Sequence, residues 1–206
     1  MKFTRNEREL QTRIKTPVRV IGLTGGIASG KTVATTALKK AGYTVIDADE
    51  VSRKLFGTKT DGEKSIARTF PQAVKNGTLD RTLLRRIIST DAKARKTLNE
   101  LTHPKIVEHI KSLISKTPPP IILSAPLLFE TGLCSLCDVT VCVYCPKPVR
   151  IKRLMTRDGM TKQDAERLID AQIPDTERCT IADYIVPNDK KEFVEEILEL
   201  IEQIVR

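Results

Sequence analysis

The feature that most constrains this chain is the octapeptide GGIASGKT, Gly25–Thr32, which matches the pattern G-x-x-x-x-G-K-[ST]. A β-branched run, Val18–Leu23, precedes it, and a helix-like segment follows it. In this context the glycines allow a loop whose backbone N–H groups point at phosphate oxygens, next to the positive end of a helix. The sequence therefore predicts a nucleoside triphosphate site, with Lys31 on the β- and γ-phosphates and Thr32 on Mg²⁺.

Four further short apolar runs follow the first one, at residues 44–49, 120–125, 138–144 and 183–188. Helix-like segments separate them, and Gly42 is placed to end the first helix. Apolar runs that alternate with helices are typical of parallel strands covered on both faces. We therefore predict an α/β fold with a five-stranded parallel sheet flanked by helices.

The predicted organisation is an N-terminal extension at residues 1–16 and one domain at 17–206. Residues 51–119 show helical periodicity without a strand pattern and are too long for a simple crossover, so they predict a helical insertion over the carboxyl edge of the sheet. An Arg-rich stretch, 148–182, is interrupted by Gly159 and Pro174 and predicts a helical lid. The sheet core is then formed by residues 17–50, 120–147 and 183–206.

Composition narrows the classes of protein that fit. The chain has 206 residues, of which 40% are hydrophobic and 30% charged, as expected for a globular α/β protein. No run approaches the length of a membrane span, and the polar start lacks the apolar core of a secretory signal, so we expect a cytoplasmic protein without a membrane partner. The net charge of +9 is spread among acids without interleaved aromatics, which favours a phosphate-rich small molecule over nucleic acid.

The five cysteines are expected to be reduced thiols. Four of them form two C-x-x-C pairs, Cys134 with Cys137 and Cys142 with Cys145, and this spacing also occurs in zinc sites. However, only four residues separate the pairs, and the intervening DVTVCVY alternates like a strand. Buried or half-buried thiols are therefore preferred to a metal site.

Two carboxylates follow the second predicted strand. Asp47 and Asp49 are two residues apart, hence on one side of an extended chain at the edge where α/β sheets bind ligands. One of them is predicted to orient and deprotonate an acceptor hydroxyl. A structural interpretation is compatible with this: Asp47 caps the next helix and Asp49 lies in its first turn.

The absence of two motifs and the presence of a basic lid favour phosphoryl transfer to a second substrate rather than to water. The third predicted strand, IILSAP, lacks the carboxylate with which motor ATPases hold magnesium, and the chain has no guanine-reading N-K-x-D segment. An arginine that closes over transferring phosphate would stabilise charge and exclude water. Arg153 and Arg157, four residues apart, are the best candidates among the basic residues Lys147, Arg150, Arg153, Arg157, Arg167 and Arg178.

From Ile21 to Asn188 the chain resembles the bacterial-type dephospho-coenzyme A kinases. The resemblance rests on GLTGGIASGKT, on VIDAD followed by Arg53, and on LDRTLLRRII, LTHPKI, PLLFETGL, RLMTRDGM, AQIP and ADYIVPN. It implies a P-loop kinase fold in which the insertion binds the acceptor. The implied reaction transfers phosphate from ATP to the ribose 3′-hydroxyl of dephospho-coenzyme A, with Mg²⁺.

The resemblance also implies site residues. Asp49 would be the base, Lys31 a catalytic cation and Arg157 the lid arginine. The nucleotide would contact Thr24, Gly25, Gly26, Ile27, Ala28, Ser29, Gly30, Lys31, Thr32, Val33, Arg153 and Asn188, the last near the adenine. The acceptor would contact Asp47, Asp49, Arg53, His103, Pro126, Leu127, Phe129 and Glu130.

Three positions depart from the family pattern. Ser124 stands where many members have Asp, Arg178 stands where Lys is usual, and Ala28 replaces a P-loop glycine at little cost if its φ is negative. A kinase of nucleoside monophosphates or sugar acids remains an alternative, as does, from another class, a nucleotide sensor or nucleic-acid-binding ATPase. The protein is expected to be a monomer or a weak homo-oligomer.

Overall fold

A computed structural model describes residues 17–189 and 191–206 of this chain, so the predicted extension at 1–16 lies outside the described residues. The chain divides into two compact units. One comprises the described residues up to Ile46 together with Lys116–Arg206, and the other is Asp47–Ser115.

The first unit is built on a five-stranded parallel sheet, as the sequence predicts. Its strands are β1 (Val20–Thr24), β2 (Thr44–Asp47), β5 (Ile121–Ser124), β6 (Val139–Tyr144) and β7 (Tyr184–Pro187), and their order across the sheet is β2-β5-β1-β6-β7. β1 is entirely buried and pairs with β5 and β6, with Leu23 opposite both Ser124 and Val141. The loop that follows β1 therefore begins at the centre of the sheet.

Five helices belong to the same unit: α1 (Lys31–Lys40), α6 (Lys147–Asp158), α7 (Lys162–Asp170), α8 (Asp175–Ile181) and α9 (Phe193–Val205). As predicted, α1 stops before Gly42, whose φ is +93°, and α6 ends at Gly159, whose φ is +65°. The aliphatic core includes Leu23, Leu38 and Ile197, all with 0% exposure. Burial of such side chains is the main force that holds helices against the sheet.

The second unit is helical. It contains α2 (Ala48–Phe56), α3 (Asp61–Thr69), α4 (Arg81–Thr90) and most of α5 (Ala92–Lys116). Its own core is formed by Phe56, Ile66, Phe70, Ala73, Leu79, Leu84 and Ala94. Arg81 donates to the Phe56 carbonyl oxygen and pairs with Glu63, which ties α4 to α2 and α3.

One feature of this unit was not predicted. Residues 51–119 were expected to contain no strand, but Val74–Lys75 (β3) and Thr78–Leu79 (β4) form a short antiparallel hairpin. Its turn residues Asn76 and Gly77 have φ values of +50° and +74°, the mirror-image turn that Asn-Gly favours. The signal was present in the sequence, but two-residue strands are too short to give an alternating pattern.

No helix in the described part of the chain is long and apolar enough to cross a membrane.

Candidate active site

The loop between β1 and α1 has the conformation of a phosphate-binding loop. Gly30 precedes α1 with a φ of +107°, and its carbonyl oxygen accepts from the N–H groups of Val33 and Ala34. No side chain caps this helix N-terminus. The first N–H groups of an α-helix lack partners within the helix, so an uncapped start favours an anion.

Side chains from distant parts of the first unit bind the carbonyl groups of this loop. Arg150 Nε donates to the Ile27 oxygen at 2.7 Å, and Arg153 Nη1 donates to the oxygens of Ala28 and Ser29, both at 3.2 Å. Asn188 Nδ2 also donates to the Ser29 oxygen, at 2.6 Å. Three consecutive carbonyls are thus turned toward protein donors.

Two glycines are needed in the loop because of these neighbours. A Cβ atom on Gly26 would lie 2.5 Å from Arg150 Nη2, and one on Gly30 would lie 1.8 Å from Asn188 Nδ2. Gly30 is also in the left-handed region, whereas Gly26 has no such φ. Close approach of a side chain, rather than backbone conformation, therefore explains the glycine at position 26.

The expectation for Ala28 needs correction. Its substitution for glycine was expected to cost little if its φ were negative, but its φ is +59°. A side chain in this left-handed region carries a backbone cost of about 1 kcal/mol. Arg153 binds the Ala28 carbonyl, and Ala28 packs with Ile151 and Leu154 of α6, so tertiary contacts hold this conformation.

Lys31 and Ser124 meet at the carboxyl end of the sheet. Lys31 Nζ donates to Ser124 Oγ at 2.7 Å. Ser124 ends β5 and is fully buried, so this hydrogen bond lies at the strand end. Thr24, the last residue of β1, is also buried, and its hydroxyl donates to the Pro126 carbonyl at 3.4 Å.

The loop fits a phosphate group on a further observation. Ser29 Oγ is buried and has no hydrogen-bond partner among the described residues. A buried hydroxyl without a partner is costly, so a bound oxygen would satisfy it. Thr32 is exposed in the first turn of α1, where its hydroxyl is accessible to a metal bound to phosphates.

In the second unit, the structural interpretation of the acidic pair is confirmed. Asp47 ends β2, and its carboxylate accepts from the N–H groups of Asp49 and Glu50 at 3.0 and 3.1 Å. Asp49 lies in the first turn of α2, the position where a carboxylate is favoured by the helix dipole. Asp47 Oδ1 thus serves as the side-chain cap of α2.

The other predicted acceptor residues of this unit lie on two helices. Arg53 is an exposed residue of α2 and follows Asp49 by about one helical turn. His103 lies inside α5, just before Pro104, and its Nε2 is buried without a hydrogen-bond partner among the described residues. An unsatisfied ring nitrogen is available to a ligand hydroxyl or phosphate.

The predicted acceptor segment of the first unit follows β5. Leu127 is 42% exposed, an unusual position for a large apolar side chain, and Phe129 is partly exposed. Glu130 forms an ion pair with Arg178, with 3.6 Å between Oε1 and Nη2. This segment presents apolar groups beside a carboxylate that is fixed by a buried cation.

The two arginines that the sequence singled out differ. Arg153 is bound to the loop carbonyls and also donates to the Asn188 carbonyl at 3.1 Å. Arg157 is 63% exposed and donates through Nε and Nη2 to the adjacent Asp158, both at 2.7 Å. These hydrogen bonds hold the pKa of the Asp158 carboxyl below its usual value.

The cysteines do not cluster around a metal. The described residues contain no group of three or more His, Cys, Asp or Glu side chains that could hold one. Burial raises the pKa of Cys137 to about 12, and its thiol donates to the Leu133 carbonyl. Cys142 is buried in β6, and a hydrogen bond to Cys179 of α8 raises its pKa further than burial alone would.

Sequence reasoning did not assign a site role to Arg150 or Gln172. Arg150 is 1% exposed, and Gln172 Oε1 accepts from the Ile27 N–H at 2.8 Å. The arginine was noted only as one of six basic residues of the lid, because nothing local distinguishes a buried arginine from a solvated one. The glutamine lies in the AQIP motif, which was the available signal.

Comparisons with known proteins identify the family. The profile of the family described as dephospho-CoA kinase matches residues 19–193. A dephospho-CoA kinase of Moorella thermoacetica is 41% identical over 175 residues, which cover 82% of each chain.

Two solved structures agree. The crystal structure of TT1252 from Thermus thermophilus has a TM-score of 0.83 at 30% identity and covers 93% of this chain and all of that one. A dephospho-CoA kinase from Campylobacter jejuni has a TM-score of 0.65 at 28% identity, covering 90% and 96%. The matched sequence, the parallel sheet and the phosphate-binding loop lead to one conclusion: this chain belongs to the dephospho-CoA kinase family.

Proposed function

We propose that this chain transfers the γ-phosphoryl group of ATP to the ribose 3′-hydroxyl of dephospho-coenzyme A, giving ADP and coenzyme A. The observation that carries the proposal is the loop after β1. Its carbonyls at Ile27, Ala28 and Ser29 are held by protein donors, and α1 begins without a side-chain cap. This arrangement directs backbone N–H groups toward the triphosphate.

The triphosphate is held by backbone and side-chain donors together. Residues 25–33 surround the phosphates, and Lys31 supplies the positive charge on the β- and γ-phosphates. The Lys31–Ser124 hydrogen bond supports this role because it fixes the Lys31 ammonium group at the carboxyl end of β5. The Thr24 hydroxyl donates to the Pro126 carbonyl. Asn188, which is 8% exposed, donates to the Ser29 carbonyl of the loop and so helps to fix its conformation.

Thr32 would hold Mg²⁺ through its hydroxyl. The metal would share the remaining coordination with phosphate oxygens and water, as Mg²⁺ prefers. Bound there, it would neutralise charge that develops on the transferring group.

Asp49 acts as the general base. Its carboxylate accepts the proton of the 3′-hydroxyl as the oxygen attacks phosphorus, and the bond to the ADP oxygen breaks. Its place in the first turn of α2, with Asp47 occupied as the cap, supports the assignment.

The residues proposed to contact the acceptor come from two segments of the chain, each with its own chemistry. Arg53 and His103 from the helical unit offer a cation and an imidazole, which suit phosphate and ribose oxygens. Pro126, Leu127 and Phe129 offer apolar surface, and Leu127 is 42% exposed. The insertion, residues 51–119, is thus the acceptor-binding part of the fold.

Arg157 completes the site from the lid. Its guanidinium is exposed and forms an ion pair with the neighbouring Asp158, and an exposed pair of this kind exchanges easily for a phosphate oxygen. Lid closure would bring it to the equatorial oxygens, where positive charge is most effective in the transition state.

The function is tested with a coupled ADP-release assay in which Mg²⁺-ATP is offered with dephospho-coenzyme A, AMP, CMP or gluconate, and with no acceptor. We expect ADP release only with dephospho-coenzyme A. Release with another acceptor alone would retain a kinase but reject this substrate. Equal release without acceptor would indicate hydrolysis and reject phosphoryl transfer.

A further inference from the structure

Four charged side chains form a continuous chain of contacts inside the first unit, from the phosphate-binding loop to the segment after β5. Arg150 Nε bonds to the Ile27 carbonyl of the loop, and Arg150 Nη1 bonds to Asp175 Oδ2 at 2.5 Å. The other oxygen of Asp175 accepts from Arg178 Nη1 at 2.7 Å. Arg178 Nη2 in turn pairs with Glu130.

Asp175 is the link of this chain. It is the first residue of α8, and each of its oxygens binds a different guanidinium. Both arginines are 1% exposed, so neither can exchange this carboxylate for water without a rearrangement. Two cations and two carboxylates balance one another, which is the condition under which buried charges are tolerated.

Stability alone does not explain the arrangement. Arg178 Nε is buried without a hydrogen-bond partner among the described residues, and such a donor costs free energy. An aliphatic side chain would fill the space without this cost. The Arg178 guanidinium does, however, fix the orientation of the Glu130 carboxylate, because its Nη2 is itself held by a hydrogen bond to the Ile173 carbonyl at 3.2 Å.

The other end of the chain is in close contact with the loop. The Arg150 guanidinium lies so near Gly26 that no side chain fits there, and Arg150 Nη2 is 3.5 Å from Gln172 Oε1, which also accepts from the Ile27 N–H. A displacement of Gly26 or Ile27 by the nucleotide phosphates therefore moves the guanidinium. Since packed contacts transmit such displacements, α8 and Glu130 would respond.

We infer that Asp175 is a positioning residue that couples nucleotide binding to acceptor binding, through Arg150 on one side and through Arg178 and Glu130 on the other. The inference rests on the proposed function for the identity of the two ligands. By thermodynamic linkage, each ligand then raises the affinity for the other by the same factor. The carboxylate does not touch the reacting atoms.

The test is a linkage experiment by isothermal titration calorimetry on the full chain. Dephospho-coenzyme A is titrated with and without saturating Mg²⁺ and a non-hydrolysable ATP analogue. The unsubstituted protein should show a coupling factor of at least about fivefold. Asp175→Asn should bring the factor to near one, because an amide cannot accept from both guanidinium groups, while each ligand alone still binds.

Two further variants separate coupling from folding. Arg178→Lys keeps the charge but loses the two-sided contact, and it should give an intermediate coupling factor even if Asp175→Asn fails to fold. Asp170→Asn removes an exposed ion pair with Lys147 in the same region and should leave the factor unchanged. Melting curves report whether each variant is folded.

The outcomes are distinct. A coupling factor of one in the unsubstituted protein, or an unchanged factor in folded Asp175→Asn, would overturn the inference. If Asp175→Asn does not fold, an unchanged factor in Arg178→Lys would overturn it. Equal loss in Asp170→Asn would also overturn it, since the effect would then be general to the region. If the unsubstituted protein neither binds nor phosphorylates dephospho-coenzyme A, the proposed function itself fails.

Discussion

The helix starts of the helical unit and the helix start at the phosphate-binding loop are stabilised in different ways. In the helical unit each helix begins with a side-chain cap from its own sequence: Asp47 for α2, Thr60 for α3, Asp80 for α4 and Asp91 for α5. At the phosphate-binding loop, α1 begins directly after Gly30 with no such cap among the described residues. The loop is held instead by Arg150, Arg153, Gln172 and Asn188, more than a hundred residues away.

The difference concerns what the backbone N–H groups do. A cap satisfies them within three residues and stabilises the helix alone. At the loop, Arg150, Arg153 and Asn188 bind carbonyl groups and Gln172 binds the Ile27 N–H, whereas the first N–H groups of α1 are left to a ligand. At α1, tertiary contacts to the loop therefore replace the local cap and leave the helix start to a ligand.

The largest expected effect comes from the uncapped region. Lys31→Ala removes the ammonium group from the β- and γ-phosphates, and turnover should fall roughly a thousandfold or more. Initial rates in the ADP-release assay measure this, with melting curves as a check on folding. A variant with the unsubstituted rate would refute the assignment of the loop.

Asp49→Asn tests the proposed base, which lies in the first turn of the capped helix α2. The amide retains the size of the side chain but cannot accept the proton, so turnover should fall about a hundredfold or more with ATP affinity nearly unchanged. Asp47→Asn is the matched variant, and it should leave both the rate and the stability nearly unchanged, because the amide oxygen can still accept from the N–H groups of Asp49 and Glu50. If Asp47→Asn alone abolishes turnover, the base has been misassigned.

Gly26→Ala perturbs the distant support of the loop. The new Cβ would meet the Arg150 guanidinium at 2.5 Å, and such overpacking costs about 1–3 kcal/mol. The KM for ATP should rise about tenfold, as expected for a loss of about 1.4 kcal/mol in binding. Steady-state kinetics over a range of ATP concentrations measure this change.

Two controls define the origin of that effect. The cost of Gly26→Ala should shrink in an Arg150→Ala background, because the clash is then absent. Gly42→Ala, where a Cβ meets nothing within 4 Å, should lower stability through its φ of +93° and leave the KM for ATP unchanged. An equal rise in KM for Gly42→Ala would mean that instability, and not the clash, alters binding.

The smallest effect is expected for a local cap. Thr60→Ala removes the hydrogen bond from the Glu63 N–H at the start of α3 and should lower the free energy of unfolding by about 1 kcal/mol. Chemical denaturation measures the loss, and Thr60→Ser should recover most of it. No kinetic constant should change, since α3 carries none of the proposed site residues; a changed KM would contradict the separation between caps and site.

The same contrast explains what could be predicted from the sequence. The five strands, the phosphate-binding loop and the cap by Asp47 depend on residues close together in the chain, and these predictions are confirmed. The role of Arg150 depends on contacts with residues 27 and 175, and no local pattern contains them. The positive φ of Ala28 could not be predicted from the sequence either, because tertiary contacts set it.

The insertion shows the intermediate case. Its helices were predicted from periodicity, but its hairpin was not, although Asn76-Gly77 is a strong turn signal. The roles of Arg53, His103 and Glu130 came from the family resemblance, and they stay predictions. The buried, unpartnered Nε2 of His103 is the observation that most supports one of them.

The most direct test of the account compares dephospho-coenzyme A with its 3′-deoxy analogue, using ATP labelled in the γ-phosphate and product detection by mass spectrometry. We predict one phosphate added to dephospho-coenzyme A, at the ribose 3′-oxygen, and none added to the analogue. Equal labelling of both compounds would place the phosphate elsewhere and contradict the proposed reaction.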